Sequence, residues 1–103
     1  MGTVNVNNIH NHGIKSLNCH YVNARSLVNN LKIDELKAYV VDFDLDIIGI
    51  TETWLNKGIS NSEVAIENLS MYRKDRPEFK GGCAGGVVVY VRDSIISFLS
   101  DVR

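Results

Sequence analysis

A change of hydrophobic period between residues 16 and 51 constrains the fold more than any other feature of this sequence. Apolar and polar residues alternate over residues 16–23, which predicts a strand with one buried face. Over residues 27–43 the apolar residues recur every three or four positions, as they do on one face of a helix. Residues 46–51 then form a β-branched run typical of a strand buried on both faces. Because a connecting helix of this length makes the two strands parallel, the segment predicts a β-α-β unit.

The second half of the chain predicts a pair of antiparallel strands. Residues 69–74 and 87–92 have strand character, and the glycine-rich residues 81–86 form the turn between them. A phosphate-binding loop is disfavoured at these glycines, because no Gly-Lys-Ser/Thr follows and the next element is a strand. Residues 93–99 begin a further turn or helix. The expected fold class is therefore α+β, a mixed sheet with one β-α-β unit and then a β-hairpin.

The chain length and the net charge restrict the classes to which this protein can belong. The 103 residues include 11 Lys plus Arg and 12 Asp plus Glu, a net charge of −1, which excludes a strongly basic nucleic-acid binder. This net charge is compatible with an enzyme that binds phosphate groups through one local patch of side chains and a metal ion. Residues 1–15 are rich in Asn and predict a flexible leader, followed by a folded domain over residues 16–103. With no signal peptide and no apolar stretch near the roughly 20 residues of a membrane helix, we expect an intracellular protein without membrane contact.

Two polar residues end the two strands that we expect to be parallel. Asn23 closes the first strand and Glu52 closes the second. Since the carboxyl ends of parallel strands face one crevice, both side chains are candidates for a ligand site there. A carboxylate is the hard oxygen ligand that Mg²⁺ prefers, and an Asn amide can orient a phosphate or a water. The alternative is that both residues only cap a helix or begin a turn.

A locally basic segment follows in the third predicted strand. Arg73, Lys74 and Arg76 stand close together and are candidates for contacts to phosphate groups. The alternative is an edge strand whose charges keep it solvated and protect it from aggregation.

Four motifs in order give the chain a resemblance to a known superfamily. They are Tyr-Val-Asn-Ala-Arg-Ser-Leu at 21–27, Asp-Ile-Ile-Gly-Ile-Thr-Glu-Thr-Trp-Leu at 46–55, Tyr-Arg-Lys-Asp-Arg at 72–76, and Gly-Gly-Val with Tyr-Val-Arg at 85–92. The sequence resembles the endonuclease/exonuclease/phosphatase superfamily, and most closely the apurinic-endonuclease-like domain of non-LTR retrotransposons of the jockey and chicken-repeat type. The resemblance covers residues 17 to about 99, so residues 16–103 are expected to be a partial domain of this superfamily.

The resemblance implies a fold and an activity. The fold is a four-layer αββα sandwich (DNase I-like), of which this chain supplies the N-terminal half. The activity is hydrolysis of a DNA phosphodiester with Mg²⁺ or Mn²⁺ as cofactor. In such elements the domain nicks the target strand in the nucleus, and the freed 3′-hydroxyl primes a reverse transcriptase carried by the same polyprotein.

Residue by residue, the resemblance implies that Glu52 is the metal-binding glutamate and Asn23 the asparagine near the metal and the scissile phosphate, both catalytic. It implies DNA contacts for Arg25 in the first motif. In the third motif it implies DNA contacts for Arg73, Lys74 and Arg76. Trp54 is expected to pack beneath the site.

The family's downstream motifs have no counterpart in this sequence. These are an Asp-x-Asn motif, a catalytic tyrosine and a terminal Ser-Asp-His motif, without which there is no general base. The first hypothesis is therefore the N-terminal part of an endonuclease that is inactive as the 103-residue chain. The alternative is a non-catalytic relic, or a domesticated binding module that retains half the fold. An in-frame continuation carrying the missing motifs would discriminate the two.

Overall fold

One mixed β-sheet organises the protein. The computed structural model describes residues 2–7, 16–77 and 85–102. The regular elements are β1 (Gly2–Asn7), β2 (Ser16–Asn23), α1 (Asn30–Asp42), β3 (Ile47–Thr51), a 3₁₀ turn (Asn61–Val64), β4 (Leu69–Lys74), β5 (Val87–Arg92) and α2 (Asp93–Val102). The strand order is β1-β2-β3-β5-β4, with β2 and β3 parallel and every other neighbouring pair antiparallel. The expected α+β class, the β-α-β unit and the β4–β5 hairpin are confirmed at this level.

The helix between the parallel strands is shorter than its apolar pattern predicts. It begins at Asn30 rather than at residue 27, because the Asn29 side chain caps it by accepting a hydrogen bond from the Leu31 N–H at 2.7 Å. At its other end Phe43 leaves the helical conformation.

The segment expected to be a flexible leader contains a strand. Gly2–Asn7 pairs antiparallel with β2 and thereby covers an edge that β2 would otherwise expose. The alternation of Val4 and Val6 with polar residues is a strand pattern that the Asn content of the segment obscured. Residues 8–15 of the expected leader lie outside the described residues.

One face of the sheet, which we call the covered face, carries the main hydrophobic core. Its central side chains are Ile48, Ile50, Val88 and Tyr90, each no more than 1% exposed. The covering layer is α1 together with the segment 55–66, whose buried residues are Ile33, Leu36, Val40, Leu55, Val64 and Ile66. Besides filling the core, Tyr90 donates its hydroxyl to the Val64 carbonyl at 2.6 Å, which ties the 3₁₀ turn to the sheet.

The opposite face, which we call the open face, is defined by a row of residues in register across four strands. Tyr21, Gly49, Val89 and Tyr72 lie side by side in that row, and the two tyrosines are 55% and 57% exposed. At one end of this face the Ser70 hydroxyl donates to the carboxylate of Asp93, the first residue of α2. The expectation that β3 is buried on both faces is therefore wrong on the open face.

Candidate functional site

The ends of the two parallel strands lie beside each other. Asn23 is in register with Thr51, the residue before Glu52. Beyond the strands the two chains stay joined, because the Ala24 N–H donates to the Thr51 carbonyl at 2.9 Å and the Ser26 N–H to the Glu52 carbonyl at 2.8 Å. The fold thus brings the two strand ends to one edge of the sheet, as the β-α-β topology predicts. Asn23 is exposed there and Glu52 is half-buried.

The Glu52 carboxylate is held by two N–H donors. Its Oε1 accepts hydrogen bonds from the Trp54 indole Nε1 at 3.0 Å and from the Gly85 backbone N–H at 3.3 Å. Both donors are neutral, so they replace part of the hydration that the carboxylate loses on partial burial without cancelling its charge. The result is an oriented carboxylate at the carboxyl end of β3.

Two glycines pack closely against the segment that follows β3. Gly85 and Gly86 have φ angles of +92° and +90°, a region that favours glycine. The Gly85 carbonyl accepts from the Trp54 backbone N–H at 2.9 Å, and a Cβ on Gly86 would lie 2.6 Å from the Oγ1 of the buried Thr53. A side chain at position 86 is therefore excluded by both conformation and space. Of the predicted turn at 81–86, residues 81–84 lie outside the described residues.

Arg73 is built into the fold. Its guanidinium makes a bidentate pair with Asp75, at 3.1 and 2.7 Å. The remaining N–H groups donate to the carbonyls of Ile59 and Asn56, at 2.8 and 2.9 Å, and to the Asn61 side chain at 3.0 Å. All five N–H groups are thus used within the chain. Arg73 anchors the segment 56–61 to β4 and has no donor left for the phosphate contact expected of it.

The other three basic candidates are exposed. Arg25 follows β2 with a φ of +50°, and Lys74 ends β4 opposite Val87. Arg76 lies against Gly85, with its Cδ 3.1 Å from the position that a Cβ on that glycine would occupy. Arg76 is therefore the basic residue that the structure connects to the Glu52 carboxylate, through the shared neighbour Gly85.

The described residues line two further cavities, one of which shares Asn23 with this site. One of about 180 Å³ opens between α1 and the parallel strands, where Asn23, Lys32 and Glu35 join an apolar lining. The other, of about 470 Å³, lies at the far end of the sheet beside Arg92. Glu52 lines neither of them.

The contacts that two residues make with the Glu52 carboxylate were not predicted from the sequence. Trp54, expected to pack beneath it, is half-buried and contacts the carboxylate directly. Gly85, expected only to turn the chain, supplies the second donor. A Glu-x-Trp spacing after a strand is the one local signal for the first contact, whereas the second depends on pairing between β3 and β5.

No helix in the part of the chain that the structure describes is long and apolar enough to cross a membrane. A comparison with known protein families finds none that matches this chain, and none of the curated proteins matches it.

Proposed function

We propose that this chain is the N-terminal part of a DNA endonuclease domain of the endonuclease/exonuclease/phosphatase superfamily, of the kind that nicks target DNA for a non-LTR retrotransposon. The observation that carries the proposal is the Glu52 carboxylate, oriented by two N–H donors at the end of β3 and next to the strand end that presents Asn23. Such an edge of a sheet is where α/β folds bind ligands.

The donor set fits a divalent cation of the Mg²⁺ or Mn²⁺ type. Mg²⁺ is commonly bound by one or two carboxylates, with waters and substrate phosphate oxygens as the other ligands. Glu52 would supply the carboxylate and Asn23 the amide oxygen. Among the described residues there is no group of three His, Cys, Asp or Glu side chains around a possible ion, so binding by this chain alone is expected to be weak. A bound cation supplies Lewis-acid polarisation of the phosphate and neutralises developing charge.

The basic residues at this edge suit the polyanionic substrate. Arg25, Lys74 and Arg76 are exposed, and a guanidinium can make paired hydrogen bonds to a phosphate. The proposal assigns these three residues to positioning of the DNA backbone. Asn23 is then the group that orients the scissile phosphate or the attacking water.

The open face supports the further proposal that the sheet is one layer of an αββα sandwich. An apolar row that includes two half-exposed tyrosines is what a second sheet would cover. The same surface favours the second candidate function, a non-catalytic binding module, because exposed apolar patches also mark protein interfaces.

Paramagnetic line broadening tests the metal site. On addition of Mn²⁺ we expect loss of the backbone amide signals around Asn23, Glu52 and Gly85. The Glu52→Gln variant keeps the side-chain shape and removes the charge, and should abolish the broadening. Glu67→Gln is the matched control, because that exposed carboxylate lines the cavity beside Arg92 instead. Broadening that spares this edge, or that survives in Glu52→Gln, would overturn the proposal.

Affinity and activity give two further checks. Calorimetry should show Mg²⁺ binding weaker than micromolar, and a micromolar affinity would contradict the donor set given above. The 103-residue chain should not convert supercoiled plasmid efficiently to open circles, because its sequence has neither an Asp-x-Asn nor a Ser-Asp-His motif. Robust nicking that Glu52→Ala abolishes would show that the chain is active by itself. The proposal further places the protein in the nucleus, joined to a reverse transcriptase domain.

A further inference from the structure

We propose that Trp54 and Gly85 are positioning residues that fix the Glu52 carboxylate for one-oxygen coordination of a divalent cation. Both donors bind the same oxygen, Oε1. Among the described residues no N–H or O–H donates to Oε2, which is left for the cation. The inference rests on the proposed function, because it assigns these contacts to the metal site.

The three residues form a closed arrangement. Gly85 donates its N–H to Glu52 Oε1 and accepts through its carbonyl from the Trp54 backbone N–H at 2.9 Å. Trp54 in turn donates its indole N–H to the same carboxylate oxygen. Each member is therefore held by the other two, and the carboxylate cannot rotate without breaking two hydrogen bonds.

The backbone at this point is in an uncommon conformation. Glu52 and Trp54 have φ angles of +54° and +57°, in the left-handed region where residues other than glycine are sparse. The residue between them, Thr53, is fully buried against Gly86. Such conformations persist where the surroundings determine them, and here they accompany the hydrogen bond from the Trp54 indole to Glu52 Oε1.

This arrangement has a chemical consequence. A free glutamate side chain loses considerable rotamer entropy when it binds a cation, whereas a carboxylate already fixed has less to lose. Groups that orient a metal ligand in this way typically change metal affinity 10- to 100-fold when they are mutated. We therefore expect Trp54→Phe to weaken Mn²⁺ binding about tenfold.

The hydrogen bond from the Trp54 indole to the Glu52 carboxylate can be followed by NMR. It contains a single tryptophan, so one indole N–H signal appears in a ¹⁵N-labelled NMR spectrum. Replacing the carboxylate by the amide in Glu52→Gln should move that signal upfield, since a hydrogen bond to a neutral acceptor is weaker. Adding Mg²⁺ should move it in the wild-type chain and leave it in place in Glu52→Gln. Glu67→Gln should behave as the wild type.

The outcomes separate this inference from the proposed function. An indole signal that does not move in Glu52→Gln, or equal Mn²⁺ affinity for wild type and Trp54→Phe, overturns the positioning role even if a metal binds. Absence of Mn²⁺ binding at Glu52 in the wild type overturns the proposed function itself, whether or not the indole contact exists. A moved indole signal with weakened Mn²⁺ binding in Trp54→Phe supports both.

Discussion

The two faces of the sheet differ although the same strands build both. On β5, Val88 is fully buried on the covered face, while its neighbour Val89 is 36% exposed on the open face. The covered face is closed by α1 and by the segment 55–66, whereas on the other face the Ser70 hydroxyl contacts α2 at one end. The covered face therefore holds the main hydrophobic core, while the open face remains a surface that a further layer or a partner can bury.

The largest expected difference is between two adjacent valines. Val88→Ala removes two methyl groups from the packed core and should lower the free energy of unfolding by roughly 2 to 3 kcal/mol. Val89→Ala is the matched control on the open face, where we expect less than about 0.5 kcal/mol. Urea unfolding followed by circular dichroism measures both. Equal losses for the two variants would show that the open face is packed in solution.

Two arginines near the end of β4 extend the comparison to charged residues. Arg73→Lys keeps the charge but loses the paired contact to Asp75 and the donors to the segment 56–61. Because this ion pair is largely shielded from water, we expect a loss of about 1.5 to 2 kcal/mol in urea unfolding. Arg76→Lys, at an exposed position, should leave stability unchanged. If both substitutions were neutral, the anchoring role of Arg73 would be refuted.

Tyr90 gives the covered face a pH dependence. Burial raises the pKa of Tyr90 from 10.0 to about 12, although nearby Arg73 acts in the opposite direction. The unfolded chain therefore releases this proton first as pH rises. The stabilisation is complete below pH 10 and should fall by about 1.4 kcal/mol per pH unit between pH 10 and 12.

The Tyr90→Phe variant isolates this effect. It should remove the contribution of Tyr90 to the alkaline slope, and should cost about 1 kcal/mol at neutral pH because the Val64 carbonyl loses its partner. Tyr72→Phe, on the open face, should keep both the slope and the stability. Urea midpoints measured from pH 8 to 12 provide the test, and an unchanged slope in Tyr90→Phe would contradict the assignment.

Much of the fold could be predicted because its patterns are local. The bounds of β2 follow from alternation, and those of β4 and β5 from their strand character and the glycines between them. The strand β1 was not predicted, because the Asn-rich composition of its segment outweighed the alternation of Val4 and Val6 with polar residues. Burial of β3 on both faces was overestimated, because a β-branched run does not reveal whether anything covers its second face.

The candidate site, too, could be predicted from the sequence only in part. Parallel topology alone predicts that Asn23 and Glu52 share an edge. The Glu52–Gly85 contact joins residues 33 positions apart and depends on how β5 pairs with β3. The sequence also could not distinguish Arg73 from Arg76, since Arg73 is bonded to the distant segment 56–61 and Arg76, beyond the end of β4, lies against Gly85.

The smallest expected effect tests the open face at its centre. Apart from its two chain neighbours, the described residues have no atom within 4 Å of the position that a Cβ on Gly49 would occupy. Glycine in a strand is less stable than alanine by roughly 0.5 to 1 kcal/mol. Gly49→Ala should therefore stabilise the chain by about 0.5 kcal/mol. Thermal unfolding measures this gain, with Val89→Ala as the control for a change at the same row. A destabilised Gly49→Ala would mean that another layer packs closely on this row in solution, and that the two faces differ less than their exposures indicate.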